Sequence, residues 1–236
     1  MKVAVVVPAL NEGGGLAAML RSLLAQTRPA DRLMVIDGGS ADDTVTVARG
    51  FGADTLIVPG RGRGGQIAAG VAGCSEDVIV VAHADMRFPP DALAAIDAHL
   101  RSHPACPGGC FGHRFDRPGW AHRAVEWWDR RRAMRGHSYG DQAQFFRRDR
   151  LGPFPDLPLL EDVELARRLR MLGRPAYLDR PVTVSARRYE RLGWLRVMAG
   201  NWMIRRAYER DGPAACWRLY RRYYPGTLRR YTTSLS

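Results

Sequence analysis

Four short apolar runs recur near the start of the chain, and each ends on proline, glycine or a polar residue. Residues 3–7 stop at Pro8, residues 33–36 at Asp37 and the turn Gly38-Gly39-Ser40, residues 55–58 before a glycine-rich segment at 60–65, and residues 78–82 at His83-Ala84-Asp85. Runs of β-branched and small residues without polar alternation mark strands buried on both faces, and such strands belong to parallel sheets covered by helices. Leu16, Met19, Leu20, Leu23 and Leu24 lie at helical spacing between the first two runs, and residues 42–49 and 66–72 read as further helices. The expected fold class is therefore α/β, a Rossmann-related sandwich around a mostly parallel central sheet. Its polar residues collect just past the carboxyl ends of the strands, where sheets of this kind place their ligands.

Beyond residue 102 the alternation stops. Residues 103–110 are rich in proline, glycine and cysteine, residues 121–134 read as a helix beside Trp120, and residues 143–146 as a short strand. Three prolines make 151–160 an ordered loop rather than a regular element. Residues 161–172 form a helix stopped by Gly173 and Pro175, residues 182–186 a last strand, and residues 191–224 two amphipathic helices broken at Gly212-Pro213. No repeat and no flexible linker divides the chain, so 1–236 is expected to be one domain.

A chain of 236 residues buries a core without disulfides or a structural metal. Its four cysteines are too few and too irregular for a disulfide framework, Cys106 and Cys110 lack redox or zinc spacing, and the first 20 residues carry no signal-peptide pattern. The expected location is the cytoplasm. No stretch reaches 18 apolar residues, so no bilayer span is expected. The net charge of +12 is uneven: residues 1–110 hold 9 basic and 11 acidic groups, residues 111–236 hold 27 and 13, and Lys2 is the sole lysine. A guanidinium-rich face suits phosphate or carboxylate, and its possible partners are nucleic acid, an anionic membrane surface, or solvent alone.

Several clusters carry chemistry. Asp37 can accept hydrogen bonds from a ribose or base, or cap the helix that follows. Arg61 and Arg63, in Gly60-Arg61-Gly62-Arg63-Gly64-Gly65, offer charge-assisted contacts to a diphosphate at a helix start; the alternative is a mobile surface loop. His83 and Asp85, two apart on extended chain, would face one ligand together, with Asp85 as an oxygen ligand for Mg²⁺ or Mn²⁺. Glu161 and Asp162 open a helix, where an ionised carboxylate can take a proton from a hydroxyl or simply favour the helix dipole. Asp141 and Gln142 can hold a sugar by its hydroxyls. Gly13-Gly14-Gly15 after the first strand lacks the G-x-G-x-x-G order of a dinucleotide site, neither a P-loop nor a G-x-S-x-G elbow is present, and His113, His122 and His137 have no partner discernible in sequence.

Taken in order, Val5-Val6-Val7-Pro8-Ala9-Leu10-Asn11-Glu12, Val35-Ile36-Asp37-Gly38-Gly39-Ser40-Ala41-Asp42-Asp43-Thr44, His83-Ala84-Asp85 and Glu161-Asp162-Val163-Glu164-Leu165 resemble family 2 glycosyltransferases with the GT-A fold. Segments 60–70 and 140–172 are similar to the short subgroup associated with radical-SAM and selenoprotein-like domains. The resemblance implies a nucleotide-diphospho-sugar donor, Mn²⁺ or Mg²⁺, and transfer to an acceptor hydroxyl with inversion. It places Pro8, Asn11, Glu12 and Asp37 around the nucleotide, Ala84 and Asp85 at the metal motif, and Asp162 as base with Glu161 its neighbour. His83 stands where the family's metal motif has its first aspartate, leaving Asp85 the firmer ligand.

On this reading 1–102 is a nucleotide-binding half, 103–186 an acceptor and catalytic half, and 187–236 a basic aromatic helical extension. The extension is expected at an anionic membrane surface on the inner face, near a lipid-linked acceptor, or packed into the core. A sugar nucleotidyltransferase of the same fold type and a basic nucleic-acid-binding module are the rival functions; only the latter leaves Asp37, Asp85 and Asp162 without a reason.

Overall fold

The computed structural model of the chain describes residues 1–117 and 119–223. The part of the expected extension that follows residue 223, Tyr231 included, lies outside the described residues. In chain order the elements are β1 (Val3–Ala9), α1 (Gly13–Leu24), β2 (Arg32–Asp37), α2 (Thr44–Gly50), β3 (Asp54–Ile57), α3 (Gly62–Ala72), β4 (Val78–Val81), α4 (Ala92–Ser102) and β5 (Gly108–Phe115). They continue with α5 (Trp120–Ala133), a 3₁₀ turn (Gly140–Gln142), β6 (Phe145–Arg147), α6 (Arg148–Leu151), α7 (Glu161–Leu172), β7 (Ala176–Val184), α8 (Arg187–Leu192), α9 (Trp194–Asp211) and α10 (Pro213–Tyr223).

The strands form one seven-stranded sheet in the order β3-β2-β1-β4-β6-β5-β7. Strands β1 to β4 pair in parallel, as do β5 and β7, while β6 runs antiparallel to both its neighbours. The apolar runs explain the two-sided burial. Val3, Val5 and Val7 pack with Leu16, Leu20, Leu93 and Ile96, the side of α1 and α4. Ala4 and Val6 pack with Ile36, Ile67, Leu165 and Leu169, the side of α3 and α7. Alternation continues in β6, where Phe145 joins the first cluster and Phe146 the second.

Pro8 sits in a central strand at no cost in hydrogen bonds. Ala82 N–H donates to the Val6 carbonyl at 3.0 Å, so even-numbered residues of β1 face β4, and the β1–β4 ladder has ended at Val6. The missing N–H of Pro8 would point past that end.

The sequence reading differs from the structure in several places, among them α3, which begins at Gly62 rather than 66, and α8, a separate short helix at Arg187–Leu192. The Thr44 start of α2 lies two residues beyond the expected one. Strand β7 begins at Ala176, earlier than the expected 182, and tolerates Pro181 because it is an edge strand. Strand β5 was not expected at all. Its glycines disguise it, yet the sheet needs them: a Cβ on Gly108 would overlap the Phe145 carbonyl oxygen, and one on Gly109 the Ala176 carbonyl oxygen. Gly109→Ala is accordingly expected to destabilise the fold by about 3 kcal/mol in urea unfolding. Gly50→Ala, where a Cβ meets nothing within 4 Å, should change stability by less than about 1 kcal/mol.

Candidate active site

Along the carboxyl ends of β2, β1 and β4 runs a continuous line of polar contacts. Asp37, 1% exposed, closes β2: its Oδ2 accepts Gly39 N–H at 2.8 Å and Ser40 N–H at 2.9 Å, and its Oδ1 accepts the Ser40 hydroxyl at 2.5 Å. Asp37 thus closes the turn 37–40 rather than capping α2, and one acceptor position is left for a ligand. Ser40 Oγ in turn accepts Asn11 N–H at 2.8 Å, while Asn11 Oδ1 accepts Ala41 N–H at 2.9 Å. Asn11 has φ 55°, a left-handed conformation that asparagine tolerates. Glu12 N–H reaches Thr44 Oγ1 at 2.9 Å, so the loop after β1 is stitched to the loop after β2.

Beyond Glu12 the line reaches Asp85. Val81 ends β4, and Met86 N–H donates to the His83 carbonyl at 3.1 Å, so residues 83–86 form a turn. The expected extended pairing of His83 with Asp85 therefore does not hold, because alternation of side chains belongs to strands. Asp85 lines a pocket of about 100 Å³ with Gly15, Arg87, Asp116, Thr183 and Arg187. Burial raises its pKa, and the neighbouring Glu12 and Asp141 carboxylates add to the effect, while Arg187 opposes it. Arg187 Nη2 bonds Glu12 Oε2 at 2.7 Å, tying the first loop to the start of α8. His83 turns elsewhere: burial and the Arg63 guanidinium hold it neutral, with a pKa down to about 3. A Cβ on Gly140 would lie 2.7 Å from His83 Nε2 and 3.3 Å from Asp162 Oδ2. The imidazole, Gly140 and the Asp162 carboxylate therefore converge.

Asp162 lies at the start of α7, which Leu160 enters at φ 60°. Its Oδ2 accepts Gly140 N–H at 2.7 Å and its Oδ1 accepts Val163 N–H at 2.9 Å, leaving acceptor positions for a substrate hydroxyl. Glu161 has a different environment. It is 1% exposed and paired with Arg63, its Oε2 has no hydrogen-bond partner, and burial raises its pKa. It anchors Arg63 rather than facing the cleft, a correction to its expected catalytic place.

The glycine-rich start of α3 is corrected too. A Cβ on Gly64 would overlap the Leu157 carbonyl, and one on Gly62 would lie 3.0 Å from Pro158 Cα. The close approach these glycines allow is used by the chain's own proline-rich loop. Arg61 pairs with Asp156 and Arg63 with Glu161, so carboxylates of the protein occupy the guanidinium groups expected to meet a diphosphate.

Gln142 is fully buried and accepts Tyr139 N–H at 3.0 Å, which fixes the 3₁₀ turn and removes it from the expected sugar contact. Asp141 belongs to a group with His113 and Asp129, whose ligand atoms lie within 4.8 Å of one another. Burial raises the Asp141 pKa, and Asp129 and Asp162 add to it.

Arg187, Gly140, His113 and Asp129 escaped the sequence reading. His113 was hidden with its strand, and Arg187 carries no local signal, since its partner is 175 residues away. Glu164 anchors α7 from below: its Oε1 accepts Arg167 at 2.7 Å and Arg168 at 3.0 Å, and its Oε2 accepts the Tyr208 hydroxyl at 2.5 Å.

Comparison with known proteins adds an independent result. The model of the family described as Glycosyl transferase family 2 matches residues 4–150. Uncharacterized glycosyltransferases of Mycobacterium bovis and Mycobacterium tuberculosis are 39% identical over 98 residues, 42% of this chain and 43% of theirs. The chain thus aligns with less than half the length of these relatives. Among solved structures, S. aureus TarS in residues 1–349 with UDP-GlcNAc has a TM-score of 0.63 at 16% identity, over 78% of this chain and 58% of TarS. Glucosyl-3-phosphoglycerate synthase from Mycobacterium tuberculosis, with Mn²⁺, UDP and glucosyl-3-phosphoglycerate, has a TM-score of 0.55 at 22% identity, over 78% and 70%. These likenesses establish a shared GT-A fold, as the strand pattern and motifs led one to expect.

The two perturbed groups make a pH prediction. The Arg167 bond, helped by Tyr208 and Arg168, lowers the Glu164 pKa from 4.5 to about 2, so its stabilisation is lost as pH falls across that interval. His83, lowered from 6.5 to about 3, takes up a proton on unfolding, so stability also declines as pH falls from 6.5. Urea midpoints measured against pH should decline below neutrality; His83→Gln should flatten the upper part and Glu164→Gln the lower. Glu164→Gln should also cost about 2 kcal/mol at neutral pH.

Proposed function

The chain belongs to glycosyl transferase family 2, and from that premise we propose that it moves a sugar from a nucleotide-diphospho-sugar to an acceptor hydroxyl with inversion. The observation that carries the reading is the position of Asp162: a carboxylate held by Gly140 N–H, beside His83, electrostatically linked through Asp141 to the Asp85 pocket. Asp162 accepts the proton of the acceptor hydroxyl. The freed oxygen attacks the anomeric carbon as the bond from that carbon to the diphosphate oxygen breaks, and the nucleoside diphosphate leaves with the electron pair. Attack opposite the leaving group inverts the configuration. Pro8, Asn11, Glu12 and Asp37 frame the nucleotide at the ends of β1 and β2, with Ala84 and Asp85 beside its phosphates. The division into a nucleotide-binding half at 1–102, an acceptor half at 103–186 and a basic extension from 187 is part of this proposal, as is membership of the radical-SAM-associated subgroup.

The carboxylates around Asp85 fit a divalent cation. Asp85 and Asp116 line one pocket, and burial, with Glu12 and Asp141 adding to it and Arg187 opposing, disfavours the ionised form of Asp85, which a bound cation would favour. Asp85 would hold Mn²⁺ or Mg²⁺, which when bound neutralises charge on the departing diphosphate. His83 does not fit this set, being turned to Gly140 and next to the Arg63 charge. Arg187 lines the same pocket, where it is paired with Glu12.

The exposed helices support a membrane-side location. Helix α9 buries only Val197, while Leu195 is 88% and Trp202 59% exposed. Helix α5 exposes Trp120, Trp127 and Trp128 among Arg123, Arg130 and Arg131, with Asp129 turned inward onto Arg132. We propose that an anionic bilayer covers this tryptophan and arginine surface and presents a lipid-linked acceptor. Among the described residues no helix is long and apolar enough to cross a membrane.

Three measurements test the function. Asp162→Asn should reduce transfer at least about 1,000-fold while calorimetric donor affinity stays within a few-fold; equal loss of both would make Asp162 a binding or folding residue. Asp85→Ala should remove the dependence of donor binding on Mn²⁺. The released product should be a nucleoside diphosphate, whereas pyrophosphate would identify a nucleotidyltransferase. For the membrane surface, flotation with anionic vesicles should occur at low salt and weaken in a Trp127→Ala, Trp128→Ala double variant.

A further inference from the structure

Three side chains to which the proposed transfer gives no bond with donor, acceptor or catalytic cation meet at the 3₁₀ turn. His113 comes from β5, Asp129 from α5 and Asp141 from the turn itself, and their ligand atoms lie within 4.8 Å of one another. Among the described residues this is the one group of three or more such side chains. It does not include Asp85.

Hydrogen bonding within the group is incomplete. His113 is 6% exposed and its Nε2 has no hydrogen-bond partner; the nearest carboxylate oxygen, Asp129 Oδ2, is 3.8 Å away. Asp141 Oδ1 is buried and equally without one. Asp129 Oδ1 is taken by Arg132 at 2.8 Å, so its Oδ2 is the oxygen left to face the imidazole. Buried polar atoms are satisfied in the great majority of cases, and orphaned ones on one imidazole and one carboxylate, facing a common space, point to a missing partner that accepts lone pairs.

We propose that His113 Nε2, Asp129 Oδ2 and Asp141 bind a divalent transition-metal ion of the Zn²⁺ class. One imidazole and two carboxylates suit such an ion, whereas Mg²⁺ and Ca²⁺ take oxygen alone. The ion joins β5, α5 and the turn, elements distant in sequence. Its consequence for the chemistry is positional. Asp141 follows Gly140, whose N–H holds Asp162 Oδ2 at 2.7 Å, so fixing Asp141 fixes the donor that orients the carboxylate.

The test uses the full chain, stripped with a chelator, and no sugar nucleotide, so its result is independent of the proposed transfer. Titration with Zn²⁺ against a chromophoric chelator should give one tight site per chain. Co²⁺ should give visible ligand-field bands without a thiolate charge-transfer band, which separates this site from the four buried cysteines. His113→Ala and Asp141→Asn, each checked for folding by circular dichroism, should weaken Zn²⁺ by more than about 100-fold, beyond what loss of an outer partner costs. Asp85→Ala should bind Zn²⁺ as the parent does. The proposal is overturned if the parent shows no saturable site, if a folded His113→Ala binds normally, or if Asp85→Ala loses the ion as His113→Ala does. Failure of the two ligand variants to fold leaves the parent's stoichiometry and cobalt spectrum to decide.

Discussion

A strand buried on both faces has room for charge only at its ends. In this chain β1 is flanked by β2 and β4, and every residue from Val3 to Ala9 is buried. Solvating a carboxylate in the middle of such a strand is impossible and desolvating it is costly, so polar chemistry is driven to the carboxyl edge. Asp37, Glu12, Asp85 and, across the β4–β6 junction, Asp162 therefore collect along one rim although 125 positions separate the first and last of the three aspartates in the sequence. The rim is then organised by backbone N–H groups and hydroxyls that satisfy part of each carboxylate. What remains unsatisfied is what a substrate can use.

That constraint explains what was legible in the sequence. The parallel half of the sheet, with its four apolar runs and their polar stops, could be read because each strand declares itself by local composition. The places of Asp37 and Asp162 in the fold could be read because they stand at the end of β2 and the start of α7, whereas Asp85 lies in a turn beyond β4. Strand β5 could not, since its defining feature is the close approach of Gly108 and Gly109 to neighbouring backbone, and nothing local encodes the neighbour. The same blindness misread residues 60–65: glycines that admit a phosphate and glycines that admit a proline-rich loop look identical along the chain. His83 was misread because β4 ends at Val81 and residues 83–86 turn, where the pairing with Asp85 required extended chain.

The positive charge of the second half also changes meaning once partners are visible. Arg132, Arg167, Arg168 and Arg187 are committed to Asp129, Glu164 and Glu12: the first three pair within α5 and α7, and the Arg187–Glu12 pair ties α8 to the rim. Arginine there is structural in the sense that removing it would strand a carboxylate of low exposure. On the outer side of α5, Arg130 pairs with the exposed Asp179 at 3.0 Å and Arg131 lies over the Trp127 ring. One residue type thus serves both the interior network and the outer surface.

The link between Glu12 and Arg187 carries a consequence for biosynthesis. The pocket beside Asp85 takes its floor from residues made early and its far wall from Thr183, Val184, Ser185 and Arg187. A nascent chain can pair β1 through β4 on leaving the ribosome, but Glu12 meets its partner Arg187 only after β7 has been made. The pocket beside Asp85 is therefore walled on all sides only once the end of β7 and the start of α8 have docked.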